Sequence, residues 1–189
     1  MFIQTEQTPN PATLKFLPGR TVLDSGTADF TDAEQAKVSP LADAIFRVAG
    51  VEAVFMGADF ITVTKSDSQG WEQIKPEILG AVMQHFTSGA PTLLEGAQVM
   101  AAGPSEMEGD PADAEIVDQI KVLLDEKVRP AVARDGGDIT FHGFQEGVVY
   151  LHMQGACAGC PSSTMTLKQG IENLLRYYIP EITEVRPIA

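Results

Sequence analysis

Cysteine is almost absent from this chain of 189 residues, which contains two, Cys157 and Cys160. Both lie in residues 155–161, called here the cysteine loop, with the sequence Gly-Ala-Cys-Ala-Gly-Cys-Pro. A disulfide between them would close a very small loop and stabilise little, so the pair is typical of a reactive or metal-binding site. A thiolate metal site or an iron-sulfur cluster needs about four protein ligands, so one chain supplies half of an all-cysteine set. If metal is the function, two copies must share it.

Positive charge and long hydrophobic runs are also scarce. The chain has 13 Lys and Arg against 26 Asp and Glu, a net charge of -13, which argues against a nucleic-acid partner. No stretch is long and apolar enough to cross a bilayer, so no membrane partner is expected. Residues 2–6 resemble neither a signal peptide nor a transit peptide, so we expect a bacterial cytoplasm, with the mitochondrial matrix as the alternative.

Residues 88–112 differ in composition from the rest of the chain. They are rich in Gly, Pro, Ala, Ser and Glu and contain neither Lys nor Arg. Such a segment buries too little apolar surface to offset its ordering entropy, so it is predicted to be a flexible acidic linker. It divides the chain into domains at 1–87 and 113–189, and the predicted fold class is α+β, with two small α/β domains.

The first domain is predicted to combine extended runs with two helices. Residues 2–7 and 13–16 are extended, and a helix begins at Pro40 with Ser39 as its cap. Residues 51–56 and 60–64 form a hairpin. A second helix carries an apolar stripe, but Pro76 predicts that its regular part begins near that residue. The stripe consists of Trp71, Ile74, Ile78, Val82 and Phe86.

The second domain is predicted to run helix, hairpin, cysteine loop, helix. Its first helix is capped by Asp113 and kinked at Pro130. Residues 135–138, Asp-Gly-Gly-Asp, supply a glycine through which the chain leaves the helix, and residues 139–144 and 148–153 form the hairpin. The last helix begins at Pro161 and Ser162. Its predicted buried side consists of Met165, Leu167, Ile171, Leu174 and Leu175.

The cysteine loop has several chemical interpretations. Cys160 is expected at a helix N-terminus, which would lower its pKa. Ala158 and Gly159 are small, so the loop is expected to be exposed and flexible enough to direct both sulfur atoms at one ligand. A thiol-disulfide redox pair is one interpretation, although no basic residue or histidine adjoins either cysteine. A zinc site with His142 and His152 as extra ligands is a second. A shared iron-sulfur cluster, which uses the thiolates alone, is a third.

Two parts of the chain resemble a known family. Residues 113–187 resemble the C-terminal domain of NifU, through Arg129-Pro130, the Asp-Gly-Gly-Asp run and the cysteine loop with the Ser-Ser-Thr that follows it. Residues 1–11, with Leu14-Lys15-Phe16 and Pro18-Gly19, resemble the separate N-terminal domain of Nfu-type iron-sulfur cluster carriers. The resemblance covers nearly everything except the linker.

The resemblance implies a carrier rather than an enzyme. Cys157 and Cys160 of two subunits would hold one labile 4Fe-4S cluster, a 2Fe-2S cluster being possible, in a homodimer. An upstream scaffold or donor would load it, and apo iron-sulfur proteins would receive it. The N-terminal domain, which has no cysteine, would dock client proteins. Residues 135–138 are interpreted as a tight turn outside the site.

Overall fold

The structure is a computed structural model that describes residues 2–95, 107, 109–158 and 161–188. The chain forms two compact units, Met1–Ala102 and Gly103–Ala189, each with its own core. Both combine helices with a β-sheet, so the fold class is α+β as expected. Across the described ranges, none of the helices has the length and apolar character needed to traverse a bilayer.

Unit 1 is built on a five-stranded antiparallel sheet with the order β1-β2-β5-β4-β3. The strands are β1 (Gln4–Gln7), β2 (Thr13–Leu17), β3 (Ala28–Phe30), β4 (Val51–Met56) and β5 (Ile61–Lys65). The predicted extended runs and the β4-β5 hairpin are confirmed, whereas β3 was not predicted. Its three residues are too few to show a periodic pattern.

The helices of unit 1 are α1 (Ala33–Ala36), α2 (Pro40–Phe46) and α3 (Trp71–Ser88). Ser39 caps α2 as predicted, because its side chain accepts from Ala42 N. The prediction for Pro76 is wrong, since α3 begins at Trp71 and continues through the proline. The first turn is held by Ile74, which is buried in the core, and by Trp71, whose Nε1 donates to Pro11 O at 3.1 Å.

Both ends of the predicted linker are in contact with a unit. Ser39 Oγ donates to Thr92 O at 2.6 Å, and Leu94 N donates to Val38 O at 2.9 Å, so residues up to 94 are attached to unit 1. Met107 N donates to His142 O at 2.7 Å in unit 2. Residues 111–113 form a 3₁₀ turn that precedes the next helix. The middle of the predicted linker, 96–106 and 108, lies outside the described residues.

The helical part of unit 2 that precedes its sheet is not a single regular helix. Helix α4 (Ala114–Leu123) continues into a π-helical turn (Leu124–Val128) and then into α5 (Arg129–Arg134). Pro130 cannot donate to the carbonyl one turn back and its ring crowds that carbonyl, which explains the irregularity predicted there. Arg129, the first residue after the π turn, donates to Asp138 at the start of the sheet.

The sheet of unit 2 has three strands in the order β6-β7-β8. Strands β6 (Gly137–Gln145) and β7 (Val148–Gly155) form a hairpin whose two-residue turn, Glu146 and Gly147, has φ values of 50° and 80°. After helix α6 (Pro161–Tyr178), strand β8 (Glu184–Ile188) pairs parallel to β7. Strand β8 was not predicted, because its pairing partner is distant in sequence.

The predicted buried side of α6 is partly wrong. Ile171 and Leu175 are buried in the core of unit 2, and Leu167 and Leu174 pack against it. Met165, however, is 70% exposed. It lies in the second turn of α6 and belongs neither to the buried cluster of unit 2 nor to the partly buried hydrophobic residues packed against that cluster.

Candidate metal centre

Cys157 lies in a tight turn directly after β7. Its side chain is 5% exposed and belongs to the same buried cluster as Ile139, Leu151 and Ile171. The expectation that both thiols lie on an exposed loop is therefore wrong for Cys157, because the turn directs this side chain into the unit. Cys160 lies outside the described residues, so its predicted position at the helix N-terminus and its lowered pKa stay predictions.

The environment of Cys157 favours the protonated thiol. Burial, together with the negative charges of Asp135 and Asp138, raises its pKa from 9.0 to about 12, and burial is the largest of these causes. A raised pKa is the opposite of what a nucleophilic cysteine requires. Cys157 in this state is a poor candidate for the attacking thiol of a redox pair.

The turn between α5 and β6 packs directly against the cysteine loop. Gly136 has a φ of 84° and its carbonyl accepts from Ala156 N at 3.1 Å. Gly137 pairs with Gly155 at the end of the hairpin, and a Cβ on Gly137 would lie 2.5 Å from Cys157 Sγ. These residues were interpreted as a turn alone. Their motif indicated a turn correctly, but only the folded hairpin brings that turn to Cys157.

An ion pair holds the start of β6. Asp138, whose side chain is 5% exposed, accepts from Arg129 Nε at 2.9 Å and from Arg129 Nη2 at 2.8 Å. It also accepts from Ile139 N at 2.8 Å, while Arg129 Nη1 donates to Asp125 at 3.0 Å. Such a forked pair has fixed geometry. Arg129 thus anchors the strand residue that follows Gly137.

A second contact holds the other side of the turn. Thr164 Oγ1, in the first turn of α6, donates to Cys157 O at 3.2 Å. The hydrogen bond joins the start of that helix to the backbone of the cysteine. Cys157 is therefore held between the start of β6, which packs against the cysteine loop, and the beginning of α6, which follows the loop.

The two histidines considered as zinc ligands lie on neighbouring strands. His152 on β7 pairs with Thr140 on β6, and a register shift between Phe141 and Gly143 places His142 in a β-bulge. Burial lowers the pKa of His152, and the nearby His142 lowers it further. Within the part of the chain that the structure describes, no three side chains of His, Cys, Asp or Glu gather as a metal-binding group.

Comparison with known proteins gives a consistent set of similarities. The family described as scaffold protein Nfu/NifU N terminal matches residues 3–89, and the NifU-like domain matches residues 120–186. NifU-like protein 4, mitochondrial, from Arabidopsis thaliana is 51% identical over 98% of this chain and 65% of its own length. The NFU1 iron-sulfur cluster scaffold homolog, mitochondrial, from Homo sapiens is 48% identical over 100% of this chain and 72% of its own length. The chain thus spans about two thirds of these relatives.

Among solved structures, the solution NMR structure of a NifU-like protein from Saccharomyces cerevisiae is similar to part of the chain. It is 31% identical, with a TM-score of 0.44, and covers 50% of this chain and 86% of its own.

Proposed function

Because the chain belongs to the Nfu family of iron-sulfur cluster scaffold proteins, we propose that it carries a labile iron-sulfur cluster and transfers it to apo-proteins. The cluster is its cargo, and the chain acts as a carrier without catalysing a reaction. The observation that supports this most directly is that both cysteines lie in one loop of the NifU-like domain. Two thiolates per chain make half of the usual ligand set, so two copies share one 4Fe-4S cluster.

Transfer follows from ligand exchange at this shared site. A client thiolate forms one iron-sulfur bond as a carrier cysteine leaves, and the leaving cysteine takes up a proton. Repetition moves the whole cluster to the client. Because the cluster links the two subunits, its loss loosens the homodimer. An upstream donor reloads the site, and unit 1, which has no cysteine, serves as the docking unit for clients.

The names of the relatives also bear on the compartment in which this transfer would happen. The curated relatives given above are named as mitochondrial proteins. Their names favour the mitochondrial matrix, the alternative of the sequence analysis, over the expected bacterial cytoplasm.

Anaerobic reconstitution with iron and sulfide tests the proposal. We expect broad visible absorption and roughly two irons per chain in a dimer for a shared 4Fe-4S cluster, or about one for 2Fe-2S. Cys157→Ser and Cys160→Ser should each lose the absorption while both units stay folded. Ala158→Ser is the matched control, because it adds a hydroxyl to the same loop and removes no thiol. A cysteine variant that still holds a full cluster would contradict the shared-ligand proposal.

The colour of the reconstituted protein and a separate insulin-reduction assay distinguish the rival interpretations of the cysteine pair. Zinc would bind without colour. A thiol-disulfide oxidoreductase would reduce insulin at a rate that depends on both cysteines and would need no iron. The buried, protonated state of Cys157 argues against that activity.

A further inference from the structure

The adjacent glycines 136 and 137 meet different structural requirements. Gly136 has a φ of 84°, in the left-handed region, so the backbone of the turn requires glycine there. Gly137 lies in strand β6 and does not have a positive φ. Its backbone conformation is open to any residue, so the reason for a glycine at this position has to be sought in its surroundings.

The space beside Gly137 is occupied by Cys157. A Cβ at position 137 would lie 2.5 Å from Cys157 Sγ, 2.7 Å from Gln154 O and 3.0 Å from Cys157 N. Rotation of the thiol would relieve the first overlap only, because the other two atoms belong to the main chain. Even the smallest side chain would therefore force the turn that carries Cys157 to move.

We propose that Gly137 is a positioning residue for Cys157: its missing side chain makes the space that the thiol occupies. The inference rests on the proposed function, in which Cys157 is a ligand of the cluster. The forked pair between Arg129 and Asp138 fixes the next residue of β6, and the hydrogen bond from Ala156 N to Gly136 O fixes the approach of the loop. Gly137 thus determines how far from the strand the sulfur lies, and so where the cluster can be held.

The test compares Gly137→Ala with Gly170→Ala, a glycine of α6 around which an added Cβ meets nothing within 4 Å. Both are made in full-length Cys160→Ser protein without cluster, so that Cys157 is the single thiol. The rate of alkylation by iodoacetamide reports its exposure. We expect Gly137→Ala to raise that rate about ten-fold and Gly170→Ala to leave it unchanged. Equal rates in all three proteins would overturn the proposal.

Cluster loading is measured separately with both cysteines present. We expect Gly137→Ala to weaken iron retention about ten-fold against a chelator, and Gly170→Ala to retain it. Unchanged retention in Gly137→Ala would also overturn the proposal. The alkylation rate does not depend on the cluster, so it tests this inference even if the proposed function is wrong. A failure of the proposed function would instead show in the cluster loading of the Cys157→Ser and Cys160→Ser variants.

A double-mutant comparison covers the case in which Gly137→Ala does not fold. Adding Cys157→Ala removes the sulfur and hence the closest overlap. Because the overlaps with Gln154 O and Cys157 N remain, we expect the double variant to recover part of the stability of unit 2. It should fold where Gly137→Ala does not, or unfold at higher urea than the two single effects would give if they added. If the alanine at position 137 is equally damaging with and without the sulfur, the glycine serves the backbone and not the thiol, and the proposal fails.

Discussion

Arg129→Met tests whether the guanidinium of Arg129 compensates the buried carboxylate of Asp138. The substitution keeps an apolar stem of similar length and removes three hydrogen-bond donors, two to Asp138 and one to Asp125. Asp138 keeps the backbone donor Ile139 N, but it loses the positive charge that compensates its carboxylate. Removing one partner of a fully buried ion pair costs about 3–5 kcal/mol. Because 39% of the Arg129 side chain is exposed, water replaces part of the lost interaction, and we expect unit 2 to lose about 2–3 kcal/mol.

The converse variant, Asp138→Asn, provides the matched comparison. It keeps one side-chain oxygen that can accept from Arg129 and leaves the guanidinium with Asp125 and solvent, so no buried carboxylate remains uncompensated. We expect it to cost about 1 kcal/mol, the usual net value of a hydrogen bond. The double variant removes both charges and should cost less than the sum of the single variants, with a coupling of about 1–2 kcal/mol.

The aromatic residues of the chain allow the two units to be followed separately. All three tyrosines, Tyr150, Tyr177 and Tyr178, lie in unit 2, and the single tryptophan, Trp71, lies in unit 1. Urea unfolding monitored by the tyrosine near-ultraviolet signal should therefore shift in Arg129→Met, while the tryptophan signal should not. Equal costs for the two single variants, together with an additive double variant, would refute the compensation of Asp138 by Arg129.

Two further predictions concern stability away from the cysteine loop. Burial raises the pKa of Asp29 from 3.8 to about 6, although a backbone hydrogen bond acts in the opposite direction. A carboxyl with a raised pKa contributes stability to unit 1 below pH 4. This contribution is lost as the pH rises through 6. The full pKa shift corresponds to about 3 kcal/mol, and the partial exposure of Asp29 reduces this value. Asp29→Asn should therefore stabilise unit 1 by about 1–2 kcal/mol at pH 7 and have no such effect at pH 4. The tryptophan signal during urea unfolding measures the difference. Glu146 in the hairpin turn has a φ of 50°, which asparagine tolerates better than glutamate. Glu146→Asn should therefore raise the stability of unit 2 by about 0.5–1 kcal/mol. An unchanged urea midpoint would count against backbone strain at this position.

The parts of the fold that the sequence predicted are those encoded locally. Ser39 before Pro40 marks a helix start, and Gly147 marks a hairpin turn, because each acts on the backbone within a few residues. The parallel pairing of β8 with β7 depends on a partner across the length of α6, and no local pattern contains it. Pro76 was given too much weight, since burial of Ile74 outweighs one lost hydrogen bond.

The candidate site was predicted by chemistry and not by environment. Two cysteines in one loop indicated a reactive or metal-binding pair, and the count of two thiols per chain predicted that an all-cysteine metal site would be shared between two copies. The burial of Cys157 depends on Gly137, which the folded hairpin brings next to the thiol. Because these two residues are distant in sequence, the small residues of the loop predicted exposure, which is wrong for Cys157. The Asp-Gly-Gly-Asp run serves two purposes: Gly136 forms a left-handed turn, and Gly137 leaves a space beside the thiol of Cys157. From the sequence alone, only the turn has a recognisable pattern.

The burial of Cys157 also affects how cargo is expected to load. With a pKa raised to about 12, Cys157 is a protonated thiol in the cluster-free protein at neutral pH. Ligation requires the thiolate, so an arriving iron must displace a proton, and its positive charge offsets the repulsion from Asp135 and Asp138. A buried protonated thiol is also slow to oxidise. Under the proposed function, the environment that opposes ligation at Cys157 would therefore also protect the same residue while no cluster is bound.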